Sequence, residues 1–157
     1  MKCCNCKKNK LKKILKFGKQ PVSSVFFKQK TYNLKKYSLD LYECAECKLV
    51  QFSKLAPLGE MYGQTYGYRT SLSKLMINHM QRKFLNIKKK GYIKKNTNIL
   101  DIGSNDGTFL NLFLKDKIKA NFFGIDPSSK KFSKFYNKKI NLITDYFSSN
   151  KIETNTE

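Results

Sequence analysis

The sequence predicts a mixed α/β protein in which a small metal-bound module is followed by part of a doubly wound parallel sheet. Three observations carry that expectation. Two C-x-x-C pairs, Cys3 with Cys6 and Cys44 with Cys47, stand 37 residues apart. From residue 98 to 143, short apolar runs alternate with helical patterns, the order of a parallel sheet with right-handed crossovers. Between the first of those runs and the helix after it lies a glycine turn, Asp101-Ile102-Gly103-Ser104-Asn105-Asp106-Gly107-Thr108.

Paired C-x-x-C knuckles put two thiolates on each of two tight turns, together the four soft ligands of a closed, structural Zn2+ site. Residues 1–54 are therefore assigned to a zinc-binding module, with strand-like stretches at 21–27 and 38–42 between the knuckles. Disulfides would need an oxidising compartment, and no secretory feature precedes them. Cys4 is left over, as a spare thiol or a competitor of Cys3. A Zn(Cys)4 centre carries a formal charge of −2, which Lys2, Lys7, Lys8 and Lys48 are placed to offset.

A linker and helix segment, 55–95, follows. Its helix begins near Ser71, with Leu72, Leu75, Met76, Met80, Phe84 and Ile87 at helical spacing, and ends before Gly91. His79, the only histidine, falls on the Leu72 and Met76 face and is expected to pack there. Residues 96–157 should then read strand 98–102, helix 107–116, strand 121–125, helix 128–136 and strand 140–143.

Chain-wide properties limit the classes of function. At 157 residues, 40% hydrophobic and 13% aromatic, the chain can bury a core. No apolar run reaches the ~18 residues of a membrane span, and Met1 to Cys6 has no apolar signal region. A cytoplasmic protein without a membrane partner is expected. Thirty-two basic residues against eleven acidic give a net charge of +21, but only Arg69 and Arg82 are arginines. Base and phosphate recognition favours the guanidinium fork, so the charge reads as a solvated lysine surface and nucleic acid is not an expected partner.

The turn after the first parallel strand is where such sheets bind nucleoside cofactors. Gly103 permits close approach, Gly107 is expected to open a helix with its amides free, and Asp126, ending the second strand, could accept hydrogen bonds from ribose hydroxyls. The dinucleotide pattern G-x-G-x-x-G is absent: Asn105 and Thr108 occupy the second and third glycine positions. No Lys or Arg occurs from Asn96 to Leu114, a window that holds Asp101 and Asp106. A pyrophosphate would be repelled there, whereas the sulfonium and ammonium of S-adenosylmethionine (SAM) would be attracted. Helix capping by the two aspartates is the plainer alternative.

The order Cys3-x-x-Cys6, Cys44-x-x-Cys47-Lys-Leu-Val-Gln51, Tyr66-Gly-Tyr68 and Asp101-Ile-Gly-Ser-Asn-Asp-Gly-Thr108 resembles the SAM-dependent C-methyltransferases with an N-terminal zinc-binding domain, typified by the deoxysugar C-methyltransferases. The resemblance runs from Cys3 to about Asp145. It implies a Rossmann-like, class I methyltransferase sheet and methylation of a carbon on a nucleotide-linked keto-deoxysugar through an enolate. It also implies zinc on Cys3, Cys6, Cys44 and Cys47, and a SAM pocket lined by Asp101, Gly103, Ser104, Asn105, Gly107 and Asp126. Tyr66 or Tyr68 would do acid/base work at the sugar, although either could instead belong, with Tyr62, to an aromatic packing strip. Only about half of a seven-stranded sheet follows, and the family's later Asn-x-x-x-His segment has no counterpart. The resemblance thus implies a missing C-terminal half on a longer or separate polypeptide, a sticky edge on the last strand, and little turnover by these residues alone. The competing functional class is a zinc-ribbon module that binds nucleic acid through its basic surface.

Overall fold

The computed structural model describes residues 1–23, 29–30, 33–63 and 66–152. The chain divides into two compact units, Met1–Gly67 and Tyr68–Glu157. The division falls inside the 55–95 segment and separates Tyr66 from Tyr68.

In the first unit, β1 (Leu11–Leu15), β4 (Leu41–Cys44) and β5 (Val50–Phe52) form an antiparallel sheet in the order β1-β4-β5. A second ribbon pairs β2 (Lys19–Pro21) with β3 (Lys36–Ser38). The stretch expected at 38–42 is thus two strands: Leu39 and Asp40 interrupt it, the Leu39 amide donating to Gly18 O at 2.9 Å. Of the strand expected at 21–27, only Pro21 pairs; 24–27 lies outside the described residues. A short helix, α1 (Leu58–Tyr62), follows Pro57, the fixed φ of proline suiting a helix entry.

The second unit opens with a 3-10 turn at Thr70–Leu72 and then α2 (Lys74–Lys89). Ser73 sets the start of α2, because its side chain accepts from Met76 N at 3.3 Å and satisfies an otherwise orphan amide. Three parallel strands follow in the order β6-β7-β8: β6 (Thr97–Ile102), β7 (Ala120–Ile125) and β8 (Ile140–Ile143). They are joined by α3 (Thr108–Lys115) and by the short α4 (Ser129–Phe132), which tightens into a 3-10 turn at Ser133–Phe135. Among the described residues β6 pairs only with β7, and β8 only with β7, so both outer strands have open edges; Leu100 and Ile102 of β6 are exposed.

Phe84, Leu110, Phe113, Phe122 and Ile140 make the core of this unit. Phe113 meets Phe84 edge-on at 4.9 Å between ring centroids and Phe109 at 5.2 Å, the arrangement that ring quadrupoles favour. Only part of the apolar stripe read on α2 is used. Phe84 is buried, but Leu72 and Leu75 are 72% and 82% exposed. His79 is exposed too, which corrects the expectation that it packs; the helix turns its Phe84 and Ile87 face to the sheet layer instead. No described helix is long and apolar enough to cross a membrane.

Candidate functional site

The two cysteine pairs fold into twin knuckles built on one backbone plan. In the first, Lys7 N donates to Cys3 O at 3.1 Å and Cys3 N to Lys8 O at 2.9 Å; in the second, Lys48 N donates to Cys44 O and Cys44 N to Leu49 O, both at 2.9 Å. Each knuckle closes on a left-handed lysine, Lys7 at φ 62° and Lys48 at φ 61°. That conformation turns the next amide back toward the second sulfur of each pair. The Leu49 amide accordingly draws Cys47 down to about 6. The Lys8 amide pulls the same way on Cys6, but burial and the three neighbouring thiols outweigh it and push that thiol up to about 12.

The knuckles interleave across the pair. Cys3 Sγ lies 3.5 Å from Cys47 Sγ, and Cys6 Sγ lies 3.6 Å from Cys44 Sγ. All four sulfurs fall within 4.8 Å of one another, and all are free thiols. Tetrahedral zinc with Zn–S bonds near 2.3 Å needs sulfur separations of about 3.8 Å, so this donor set fits the ion. Cys3 and Cys44 are buried, which suits a closed structural centre. Cys4 is exposed, outside the cluster. Gln51, given no role by its place in the sequence, ties β5 to the first knuckle: its Oε1 accepts from Cys4 N at 2.7 Å, and its Nε2 donates to Lys2 O at 3.4 Å.

At the carboxyl ends of the parallel strands, the turn 103–107 is closely tied to its neighbours. Gly103 N and Ser104 N donate to Ile125 O, at 2.8 and 3.4 Å, and Gly107 N donates to Ser104 O at 2.8 Å. Thr108 N and Oγ1 both donate to Asp106 Oδ1, at 3.2 and 2.6 Å. The amide of Gly107 itself is therefore engaged within the turn, and Asp106 caps the amide of Thr108, the first residue of α3.

The six residues implied for a cofactor pocket separate into two groups. Gly103, at φ +77°, is exposed, with no heavy atom within 4 Å of where a Cβ would stand. Asp101 stands beside it, its carboxylate accepting no hydrogen bond among the described residues, and is pushed up to about 6, first by burial; Lys83 opposes the rise and Asp126 adds to it. Ser104, Asn105, Gly107 and Asp126 are covered. Asp126 uses Oδ2 to accept from Asn105 N at 3.1 Å and Oδ1 to accept from Ser128 N at 2.7 Å and Ser128 Oγ at 2.5 Å. Three of its roughly four acceptor positions are filled, so it braces the β6 turn against the β7 turn.

Tyr136 is the residue that sequence reasoning missed. Its hydroxyl joins Ser104 Oγ at 2.8 Å and donates to Asn105 O at 2.9 Å, while its ring fills the space that a Cβ on Gly107 would need, at 2.8 Å. Burial raises the pKa of this phenol. Nothing in the run Phe135-Tyr136-Asn137 marks it, because its partners come from turns more than 28 residues earlier.

The cation-free window of the sequence is not a cation-free site. Lys83 of α2 acts on Asp101, and Arg69 Nε lies 3.8 Å from Asp106 Oδ2. Asp106 is fully buried, which pushes its carboxyl up, but hydrogen bonds from Ser71 and Thr108 prevail and hold it below the usual range. Asp101 is thus the acid of the turn that keeps an unengaged carboxyl.

Tyr66 and Tyr68 fall in different units. Tyr66 pairs with Tyr62, ring centroids 5.6 Å apart. Tyr68 belongs with the turn, its carbonyl accepting from Asn105 Nδ2 at 3.1 Å.

No curated protein matches the chain. Residues 3–62 match a methyltransferase-associated family model whose description is "Putative zinc binding domain", which spans both knuckles and the sheets between them. The match supports a methyltransferase-associated zinc-binding module in the N-terminal unit, where four cysteines are positioned to bind a metal ion.

Proposed function

We propose that the chain is part of a SAM-dependent methyltransferase with a Rossmann-like sheet, acting on a carbon of a nucleotide-linked keto-deoxysugar. One pairing carries the reading: a methyltransferase-associated zinc module precedes a parallel α/β unit whose first strand ends in an open glycine turn beside an unengaged acid. SAM bound there would supply an electrophilic methyl group. Gly103 would let the cofactor approach the backbone, Asp101 would face its positive charge, and Ser104, Asn105, Gly107 and Asp126 would hold the shape of the turn, Asp126 offering at most one further acceptor position to a ribose hydroxyl. Zinc on Cys3, Cys6, Cys44 and Cys47 is structural in this reading.

Of the two tyrosines, Tyr68 is the stronger candidate for taking the proton next to the sugar ketone, since its backbone is hydrogen-bonded to the turn itself. Calorimetric titration of the zinc-loaded chain with SAM, S-adenosylhomocysteine and NAD tests the proposal. One-to-one binding of the first two and none of NAD is expected. Failure of SAM to bind, or equal binding of NAD, would overturn it. Tyr66→Phe and Tyr68→Phe should both keep SAM affinity, because a phenol at the sugar contributes to chemistry rather than to cofactor binding.

A further inference from the structure

Asn105 and Asp106 sit in the middle of the glycine turn, yet their side chains point away from the open Gly103 shelf and into the chain segment before α2. Asn105 Oδ1 accepts from Thr70 N at 2.9 Å and from Thr70 Oγ1 at 3.2 Å, and its Nδ2 donates to Tyr68 O at 3.1 Å. Asp106 Oδ2 accepts from Ser71 N at 2.9 Å. Arg69 lies between these contacts, its guanidinium 4.2 Å from the centre of the Phe135 ring and its buried Nε without a hydrogen-bond partner among the described residues, 3.8 Å from Asp106. Asn105 and Asp106 are 6% and 1% exposed.

We propose that Asn105 and Asp106 are positioning residues, whose side chains clamp the strap 68–71 to the cofactor turn so that the state of the turn governs where Tyr68 stands. The hydrogen-bond inventory supports this. Both acceptor positions of the Asn105 amide oxygen are filled and one of its two N–H donors is used, which leaves little for a ligand. Its backbone is fixed as well: Asn105 is held at φ 49°, its N–H donates to Asp126, and its carbonyl accepts from Tyr136. A side chain anchored in this way transmits movement of the turn to Tyr68 and Thr70, the two neighbours of Arg69, which it ties at the Tyr68 carbonyl and the Thr70 amide. The identity of the ligand at the turn rests on the proposed function above. The clamp itself does not.

Amide hydrogen exchange on the full zinc-loaded chain tests the clamp, together with Asn105→Ala, Asn105→Asp and a label on the Tyr68 ring. Asn105→Asp keeps both acceptors for Thr70, replaces the donor to Tyr68 O by an oxygen, and adds a negative charge beside the buried Asp106 and Asp126. Thr70 N should exchange about tenfold faster in Asn105→Ala, the loss expected for one buried hydrogen bond, and regain its protection in Asn105→Asp. SAM should shift the Tyr68 ring signal in the unmodified chain but not in Asn105→Ala, where the bond to Tyr68 O is gone. Unchanged Thr70 exchange in Asn105→Ala would overturn the clamp. So would a collapse of SAM affinity in both variants with Thr70 still protected, since Asn105 would then serve the cofactor directly. If Asn105→Ala does not fold, loss of Thr70 protection in Asn105→Asp would overturn it equally. Absence of SAM binding in the unmodified chain would sink the methyltransferase reading and leave the exchange test intact.

Discussion

Among the described residues of Met1–Gly67, the buried apolar side chains are Cys3 and Cys44, both in the sulfur cluster; in the second unit they are Phe84, Leu110, Phe113, Phe122, Ile125, Phe132 and Ile140. The first unit has three short antiparallel strands and a two-stranded ribbon with little to bury between them. The second has an aromatic core packed between sheet and helices. What differs is the source of the folding free energy. A parallel sheet with its crossover helices gains stability from burial, whereas a module of this size without a core depends on its metal.

The largest effect that could break this comparison is metal loss. Chelation, or Cys44→Ser, should remove on the order of 10 kcal/mol of metal-linked stability from the first unit. Amide exchange should then become fast in β1, β4 and β5 while the Phe113 core of the second unit stays protected. Zinc content of one per chain should fall to a substoichiometric value in Cys3, Cys6, Cys44 and Cys47 variants and stay at one in Cys4→Ser. Full zinc retention by Cys44→Ser would refute the four-sulfur assignment, and loss of protection in both units together would refute the contrast.

In both units local patterns were legible and distant contacts were not. Knuckle spacing is a local signal, so Cys3, Cys6, Cys44 and Cys47 could be read as one cluster before any geometry was known, and the structure brings their sulfurs together. Strand and helix alternation in the second unit was equally readable, because the buried runs are short and cleanly bounded. What could not be read were contacts that depend on distant turns. Tyr136 over Gly107, Asn105 on Thr70 and Lys83 beside Asp101 join segments more than 17 residues apart, and no periodicity encodes them. The α2 stripe misled for a related reason: helical spacing marks which residues could share a face, while the packing partners decide which face is used. Leu72 and Leu75 satisfy the spacing and remain exposed.

Asp101 sharpens the comparison at an intermediate size, because in this unit a buried acid works against the fold that burial stabilises. Its folded pKa, about 6, lies above the unfolded value of 3.8. Between those values the native state binds more protons than the unfolded state, so stability should fall as pH rises from about 4 to about 6. Asp101→Asn should remove that dependence and raise stability at pH 7 by about 2–3 kcal/mol. A cationic cofactor prefers the ionised carboxylate, so SAM affinity should weaken as pH falls through about 6 and should drop in Asp101→Asn. Denaturant unfolding and calorimetry across pH 4–8 measure both. A variant that is neither stabilised at pH 7 nor weakened for SAM would show that Asp101 is not the unengaged acid of the turn.

The smallest effect concerns whether backbone geometry or charge matters more once the metal is in place. Lys7 and Lys48 hold left-handed conformations, which cost an L-residue about 1–2 kcal/mol. Glycine removes that cost but gives back roughly 0.5–1 kcal/mol through its freer unfolded chain. Lys48→Gly otherwise loses only an exposed ion pair with Glu43 at 3.7 Å, a contact of little worth in water. Lys7→Gly also loses the hydrogen bond from Lys7 Nζ to Cys4 O at 2.6 Å. Lys48→Gly should therefore stabilise the zinc-loaded module by about 0.5 kcal/mol, with Lys7→Gly closer to neutral. Lys48→Val, forcing a β-branched residue into the same turn, should destabilise it. Chelator competition read against thermal unfolding separates the causes. If Lys48→Gly weakens zinc binding as much as Lys48→Val does, the lysine serves the −2 charge of the metal centre rather than tolerating the turn.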